Sequence, residues 1–260
     1  MGTSSRNMGK GGNTPLVPSW VDGDNSGEVT APIPAIADPN RFSVPRGNMT
    51  RFSGGGDSGD LHRVASQYVR HSSGGVSNAV KNLGSARRST AKLVGVLGAF
   101  SHGGASGVQE YLKNYNLIGK PAAEAFRDIT DLICDDGGTT NEGSVRDAYL
   151  DTLAETTELR GMFFEDLRSE QIMVILEGMI SRVVMGKLLN DIGRKVLHIP
   201  ESLKKAGNVR ERIFGFVKGV VSDSFARLKI NPANIRSDQS HQITDQVYSQ
   251  VYTIFAESES

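Results

Sequence analysis

The stretch from residue 169 to residue 197 constrains this chain most. Ile172, Ile175, Leu176, Met179, Ile180, Val183, Leu188 and Ile192 recur there at helical spacing, which predicts a long, strongly apolar helix that stops before Pro200. Such a helix is stable only when other elements cover it. The flanking sequence supplies them at the same period. Pro121 suits the first position of a helix whose apolar face is Ala122, Ala125, Phe126, Ile129, Leu132 and Ile133. Ser144, with Asp147 three residues on, predicts the start of another helix running to about Glu158. Val209, Ile213, Phe216, Val217, Val220 and Leu228 mark a helix broken by Pro232, and Ile243, Val247, Val251 and Ile254 mark a last one. No stretch alternates as a strand would, so the predicted fold class is all-α.

Upstream the pattern weakens. Between residues 58 and 118 the apolar positions fall into short helices separated by glycines. Leu61, Val64, Ala65, Tyr68 and Val69 share one helical face, and Val76, Ala79, Val80 and Leu83 share a second. A third helix is expected over residues 89–100, and a fourth from Ser106, with Gln109 as a capping-box partner. Residues 1–57 are rich in Ser, Gly, Asn and Pro with no apolar period, and read as a disordered arm because there is little burial to offset ordering entropy. The expected organisation is therefore an arm over 1–57, short basic Gly-rich helices over 58–118, and a helical body over 119–260.

Charge follows the same division. The 29 basic and 29 acidic residues cancel overall, but residues 58–118 hold seven basic against two acidic, and residues 119–260 hold seventeen against twenty-two. The zero argues against a protein that coats nucleic acid. Arg63, Arg70, Lys81, Arg87, Arg88 and Lys92 could track phosphates, yet a solvated face or a complement to the acidic body explains them better. No apolar run approaches the ~20 residues of a bilayer span, and no charged start leads into an apolar segment with a cleavage site, so neither a membrane segment nor a secretory signal is expected. The single cysteine, Cys134, excludes an internal disulfide and a multi-cysteine metal site and fits a reducing cytoplasm.

The sequence is poor in catalytic signatures. Gly54, Gly56 and Gly59 match G-x-G-x-x-G but follow no buried strand. His62, His71, His102, His198 and His241 are scattered without metal-site spacing. Cys134, at the apolar end of a helix, reads as a small hydrophobe. Asp135 and Asp136, before Gly137-Gly138, form an acidic loop explained by turn chemistry or by contact with a partner or cation. An independent enzyme is not expected, and neither is a metal or cofactor of the chain's own.

Two features of the arm stand out. Thr14-Pro15-Leu16-Val17-Pro18-Ser19-Trp20 sets the only tryptophan beside two prolines, a segment suited either to folding back on the body or to docking in a partner's groove. Met1-Gly2 is a start from which methionine is readily removed, leaving a glycine amine. An α-amine has a pKa of roughly 7.7–8.0 against about 10.4 for lysine, so near neutrality far more of it is nucleophilic. Arg6 stands where N-myristoylation needs Ser or Thr.

Met1-Gly2-Thr3-Ser4-Ser5, the Thr14–Trp20 island, Tyr68-Val69-Arg70 with Gly74-Gly75, and Thr130-Asp131-Leu132-Ile133-Cys134-Asp135-Asp136-Gly137-Gly138 together resemble the QatB family of the bacterial Qat anti-phage defence system. Asn141-Glu142-Gly143 and Arg146-Asp147-Ala148-Tyr149 extend the likeness. The resemblance implies a non-enzymatic component working in the bacterial cytoplasm beside an ATPase, a QueC-like enzyme (QatC) and a TatD-like nuclease. QueC-type enzymes resemble ligases that use ATP to activate a 7-deazaguanine carboxylate for attack by an amine, and the partner is expected to carry a zinc site. The resemblance then makes Gly2 the amine that is modified, with Thr3, Ser4 and Ser5 entering the partner's site behind it and Pro15, Leu16, Val17, Pro18 and Trp20 anchoring the arm. A structural scaffold and a weak nucleic-acid-binding adaptor are the alternatives.

Overall fold

A computed structural model describes residue 38 and residues 40–135, 138–193 and 203–258. Gly2, Thr3, Ser4, Ser5, Pro15, Leu16, Val17, Pro18, Trp20 and Asp136, together with His198 and Pro200, lie outside the described residues. The described residues from 40 onward belong to one compact unit. Among them the regular structure is helical, with no strand. In chain order the helices are α1 (Ser43–Ser53), α2 (Ser58–Gln67), α3 (Val76–Lys81), α4 (Ser85–Leu112), α5 (Ala122–Asp128), α6 (Thr130–Ile133), α7 (Thr140–Glu155), α8 (Ser169–Leu188), α9 (Leu203–Leu228) and α10 (Ser240–Glu257).

α8 is the centre. All eight apolar positions read from residues 169–197 are buried, seven of them in α8 and Ile192 just beyond it, and so are Met173, Val184 and Met185 on other faces of α8. A helix buried on several sides has to be walled in, and α4, α7 and α9 do this. α10 closes the far side, against α4 and α9. Gly178 allows α7 close to α8: a Cβ there would lie 2.7 Å from Thr152 Cγ2.

The structure moves several expected boundaries. The folded unit begins well before residue 58, because α1 buries Met49 and Phe52 completely and packs on α2. Its apolar residues are too few to show a period, so the sequence read this stretch as arm. The stretch 58–118 is not a separate body, since α4 packs on α8 and α10. The third and fourth helices meet at a kink at Gly104 (φ 57°, ψ −148°) rather than at a cap on Ser106. α7 starts at Thr139, whose hydroxyl accepts from Glu142 N while the Glu142 carboxylate accepts from Thr139 N, and Ser144 instead bonds back to Thr140 O. The helix expected from Pro121 breaks at Ile129 into α5 and α6. α8 ends at Leu188 and passes into a π-turn, Leu189–Gly193.

The tightest helix-to-loop contact is at Gly98 on α4, where a Cβ would sit 2.7 Å from the Arg236 carbonyl carbon and 3.0 Å from Ser237 Cα. Backbone cannot rotate away as a side chain can. Gly98→Ala is therefore expected to lower stability by ~1–3 kcal/mol. Gly219→Ala, in the exposed interior of α9 with nothing near its Cβ, should gain up to ~1 kcal/mol. Urea unfolding of the two variants checks the pair of opposite signs.

Candidate functional site

The described chain starts beside an unusual piece of backbone. α2 runs into a π-turn at Tyr68–Ser72, and α8 runs into the π-turn at Leu189–Gly193. π-turns are rare and concentrate at functional sites. These two are joined, because Tyr68 donates its hydroxyl to Asp191 Oδ2 at 2.8 Å. Lys187 Nζ donates to Asp191 Oδ1 at 3.1 Å, and Arg46 of α1 reaches the Asp191 carbonyl at 3.3 Å. Burial, with the nearby Tyr252 and the Asp191 carboxylate, raises the Tyr68 phenol far above its ordinary value, so it stays a donor at any physiological pH.

The entering chain is fastened to the same place. Ser72 Oγ donates to Arg41 O at 2.6 Å. Phe42 stacks on Tyr68 with centroids 6.3 Å apart, and the Arg41 and Arg46 guanidiniums lie 4.8 and 5.6 Å from the Phe42 ring centroid. The arrangement fixes residues 40–46 on the body. Sequence reasoning placed Tyr68 on an apolar helical face and gave no role to Arg46, Lys187 or Asp191. No periodicity signals a π-turn, and Tyr68 and Arg46 are each more than a hundred residues from Asp191.

The basic stretch finds its partners within the protein. Arg87 holds Asp245 with Nε at 2.9 Å and Nη2 at 2.6 and 2.7 Å. Arg88 (Nη2, 2.8 Å) and Lys92 (2.9 Å) both donate to Asp135, Arg88 also lies 3.7 Å from Glu142, and Arg63 pairs with the buried Asp60 at 3.3 Å. At least four of the six groups that could have tracked phosphates are thus engaged. Asp135, expected in a possible contact loop, is an acceptor that ties α4 to the end of α6. The hydrogen bonds from Lys92 and Arg88 hold its carboxyl below the usual carboxylate range.

Cys134, beside it, is fully buried, and burial pushes its thiol up to about 11. It is therefore protonated near neutrality and a poor nucleophile. His102 Nδ1 lies 3.0 Å from Gly98 O and His62 packs edge-on against Phe216. Among the described residues no group of three or more His, Cys, Asp or Glu is placed to hold a metal ion, and no helix is long and apolar enough to cross a membrane.

Between α7, α8 and α9 runs an open groove of about 790 Å³. Asp147, Asp151, Glu155 and Glu211 line it against Arg182 and Arg210. Arg182 is taken up by Glu155 and lies 4.8 Å from the Phe214 ring centroid, so the rim carries a surplus of negative charge.

Two outcomes follow. Asp191→Ala leaves the Tyr68 hydroxyl and Lys187 without their acceptor and should cost about 2 kcal/mol, with hydrogen exchange rising across α1 before the rest of the unit. Asp135 has its folded pKa lowered, so its contribution to stability is present above the ordinary aspartate range and fades as pH falls through the lowered value. Asp135→Asn should therefore flatten the acid limb of stability against pH below about 4, as measured by urea midpoints.

A family model described as Qat anti-phage system associated protein QatB matches residues 74–255. No curated protein and no solved structure matches the chain.

Proposed function

The chain belongs to the QatB family of Qat anti-phage system associated proteins, and from that premise we propose that it is a non-enzymatic component that binds a QueC-like enzyme and offers its own Gly2 amine as substrate. The observation that supports this reading best is the root at residues 40–46. Stapled to both π-turns, the root gives the preceding residues a fixed point of departure from the body. From Gly2 to Asn40 is 38 residues (40 minus 2), a length that can span at most ~130 Å. A terminal amine on such a tether can enter a deep active site while the body docks elsewhere on the same enzyme, and the two contacts then raise each other's effective concentration.

The chemistry asks little of the chain itself. At pH 7.4 about a quarter of an α-amine is unprotonated against ~0.1% of a lysine. The partner's ATP converts a 7-deazaguanine carboxylate to an acyl adenylate with release of pyrophosphate. The Gly2 nitrogen attacks the acyl carbon, the C–N amide bond forms as the bond to AMP breaks, and the amine loses a proton to a base of the partner. ATP and the zinc site belong to that enzyme, and this chain contributes no cofactor. The ATPase and the TatD-like nuclease are further partners in the same bacterial cytoplasmic assembly, and Thr3, Ser4 and Ser5 with Pro15, Leu16, Val17, Pro18 and Trp20 are the arm's contacts.

The family match lies wholly within the body, between residues 74 and 255, and favours a second reading as a scaffold that binds through its helices alone. Direct nucleic-acid binding has less support, since Arg87, Arg88 and Lys92 are spent on Asp245, Asp135 and Glu142.

Co-expression with the QueC-like partner, followed by intact-mass and N-terminal peptide analysis, separates the readings. Conjugation predicts a mass increase of one deazaguanine acyl group on Gly2. Gly2→Pro, whose terminal amine is secondary, should remain unmodified yet still co-purify with the partner. An unmodified Gly2 in cells where defence operates would leave the scaffold.

A further inference from the structure

The groove between α7, α8 and α9 has a floor as well as a rim. Met185 and Leu189, from the last turn of α8 and the π-turn after it, line it together with Ala148 of α7 and Phe214 of α9. On α7 the lining runs from Ser144 to Glu155, eleven residue steps (155 minus 144) or ~16 Å of helix. A space of about 790 Å³ takes several side chains at once and is far too large for a lone ion. Asp147, Asp151 and Glu211 on the rim are exposed and have no hydrogen bond or ion pair among the described residues. Of the two arginines in the lining, Arg182 is held by Glu155, which leaves Arg210 against three carboxylates.

Both walls carry features that weaken their own helices. On α7, Asp147 and Asp151 stand one turn apart and Glu155 continues the row. Like charges at that spacing repel along a helix. On α9, Gly207 lines the groove, and Gly215 and Gly219 follow at i+8 and i+12 on the same row. All three glycines are exposed, with nothing within 4 Å of where a Cβ would stand. Glycine inside a helix costs backbone entropy, and the packing of the unit requires none of these three. A second helix laid along the groove uses both features, because the carboxylate row then faces cations and the bare ridge of α9 admits a backbone closely. The acids are too spread to share one ion, since among the described residues no three are placed to hold a metal. They match cations that are themselves spaced along a chain.

We propose that this groove is a docking site for an amphipathic basic helix of a partner protein. Lys or Arg side chains at one-turn spacing meet Asp147, Asp151 and Glu211, and an apolar face of the same helix rests on Met185 and Leu189. The carboxylate row repels a nucleic-acid backbone. Pairs at an exposed rim contribute little each and are screened by salt, so the docking is of micromolar strength and weakens as salt rises. The proposal goes beyond the reading of the arm, because it assigns a surface of the body, and the state of Gly2 does not enter its test.

The full-length protein is titrated into a fluorescent helical peptide of Leu, Ala and Lys, whose lysines repeat every fourth residue opposite a leucine face, with anisotropy as the readout. Saturable one-to-one binding in the micromolar range is expected. A peptide with Glu for Lys, and one with Ala for Leu, should each bind roughly ten-fold more weakly. Asp147→Asn with Asp151→Asn removes the row without adding bulk and should weaken binding roughly five-fold, and Asp147→Lys with Asp151→Lys should abolish it. Glu170→Lys with Asp223→Lys makes the same change in charge at exposed positions outside the groove and should leave the affinity unchanged. No saturable binding up to millimolar peptide, or equal loss in the groove and control variants, overturns the proposal. So does a different occupant: a wild-type dimer that the Asp147→Lys, Asp151→Lys variant dissolves in sedimentation puts a second copy there, and a peptide of residues 1–37 that displaces the probe puts the chain's own arm there.

Discussion

Everything in the folded unit answers to the burial of α8. Most helices of a small α-protein keep one face in water, but α8 buries Ile175, Met179, Val183 and, off that line, Met173, Val184 and Met185. A helix so apolar has no stable position at a surface. α4, α7 and α9 must therefore approach it closely, and close approach requires small residues. Gly178 on α8 itself admits Thr152 of α7. α4 uses the same means where it meets the rest of the unit, with Gly98 against the backbone at 236–237 and Gly107 folded back on Ala99 across the kink at Gly104. The glycines that make α4 look weak in the sequence are what let it pack.

The charge division acquires a structural meaning from the same packing. The net positive stretch is laid over the acidic part, so that Arg87 meets Asp245 while Arg88 and Lys92 meet Asp135. Exposed pairs of this kind contribute little each, but three of them on one helix set its rotation relative to α10 and to the end of α6. Overall neutrality is thus partly an internal matching of segments distant in sequence.

Strong periodicity was legible and weak periodicity was not. α8, α9 and α10 appear in the sequence as helices, since each presents many apolar side chains at one spacing, but the expected faces omit Val221 and Phe225 of α9 and Tyr248, Tyr252 and Phe255 of α10, all of them buried. α1 escaped notice because it is held by only Pro45, Met49 and Phe52, and part of its hold comes from Arg212, whose guanidinium sits 4.3 Å from the Phe52 ring centroid and donates to Gly56 O. Such contacts depend on a residue 160 positions away. The start of α7 was placed five residues late because Ser144 and Asp147 offer the same chemical pattern as Thr139 and Glu142, and only the backbone decides which pair caps. The π-turns at Tyr68 and Leu189 leave no mark in the sequence at all, so the root they build was invisible, whereas the arm features that suggested a function lie outside the described residues.

Lys187 shows why the root could not be read along the chain. It holds Asp191, and through Asp191 the Tyr68 hydroxyl and the two π-turns. By spacing, Lys187 and Asp191 are an ordinary i,i+4 helical ion pair. Only the fold brings Tyr68, 123 residues away, to the same carboxylate, and with it a local pair becomes the junction of two helix ends.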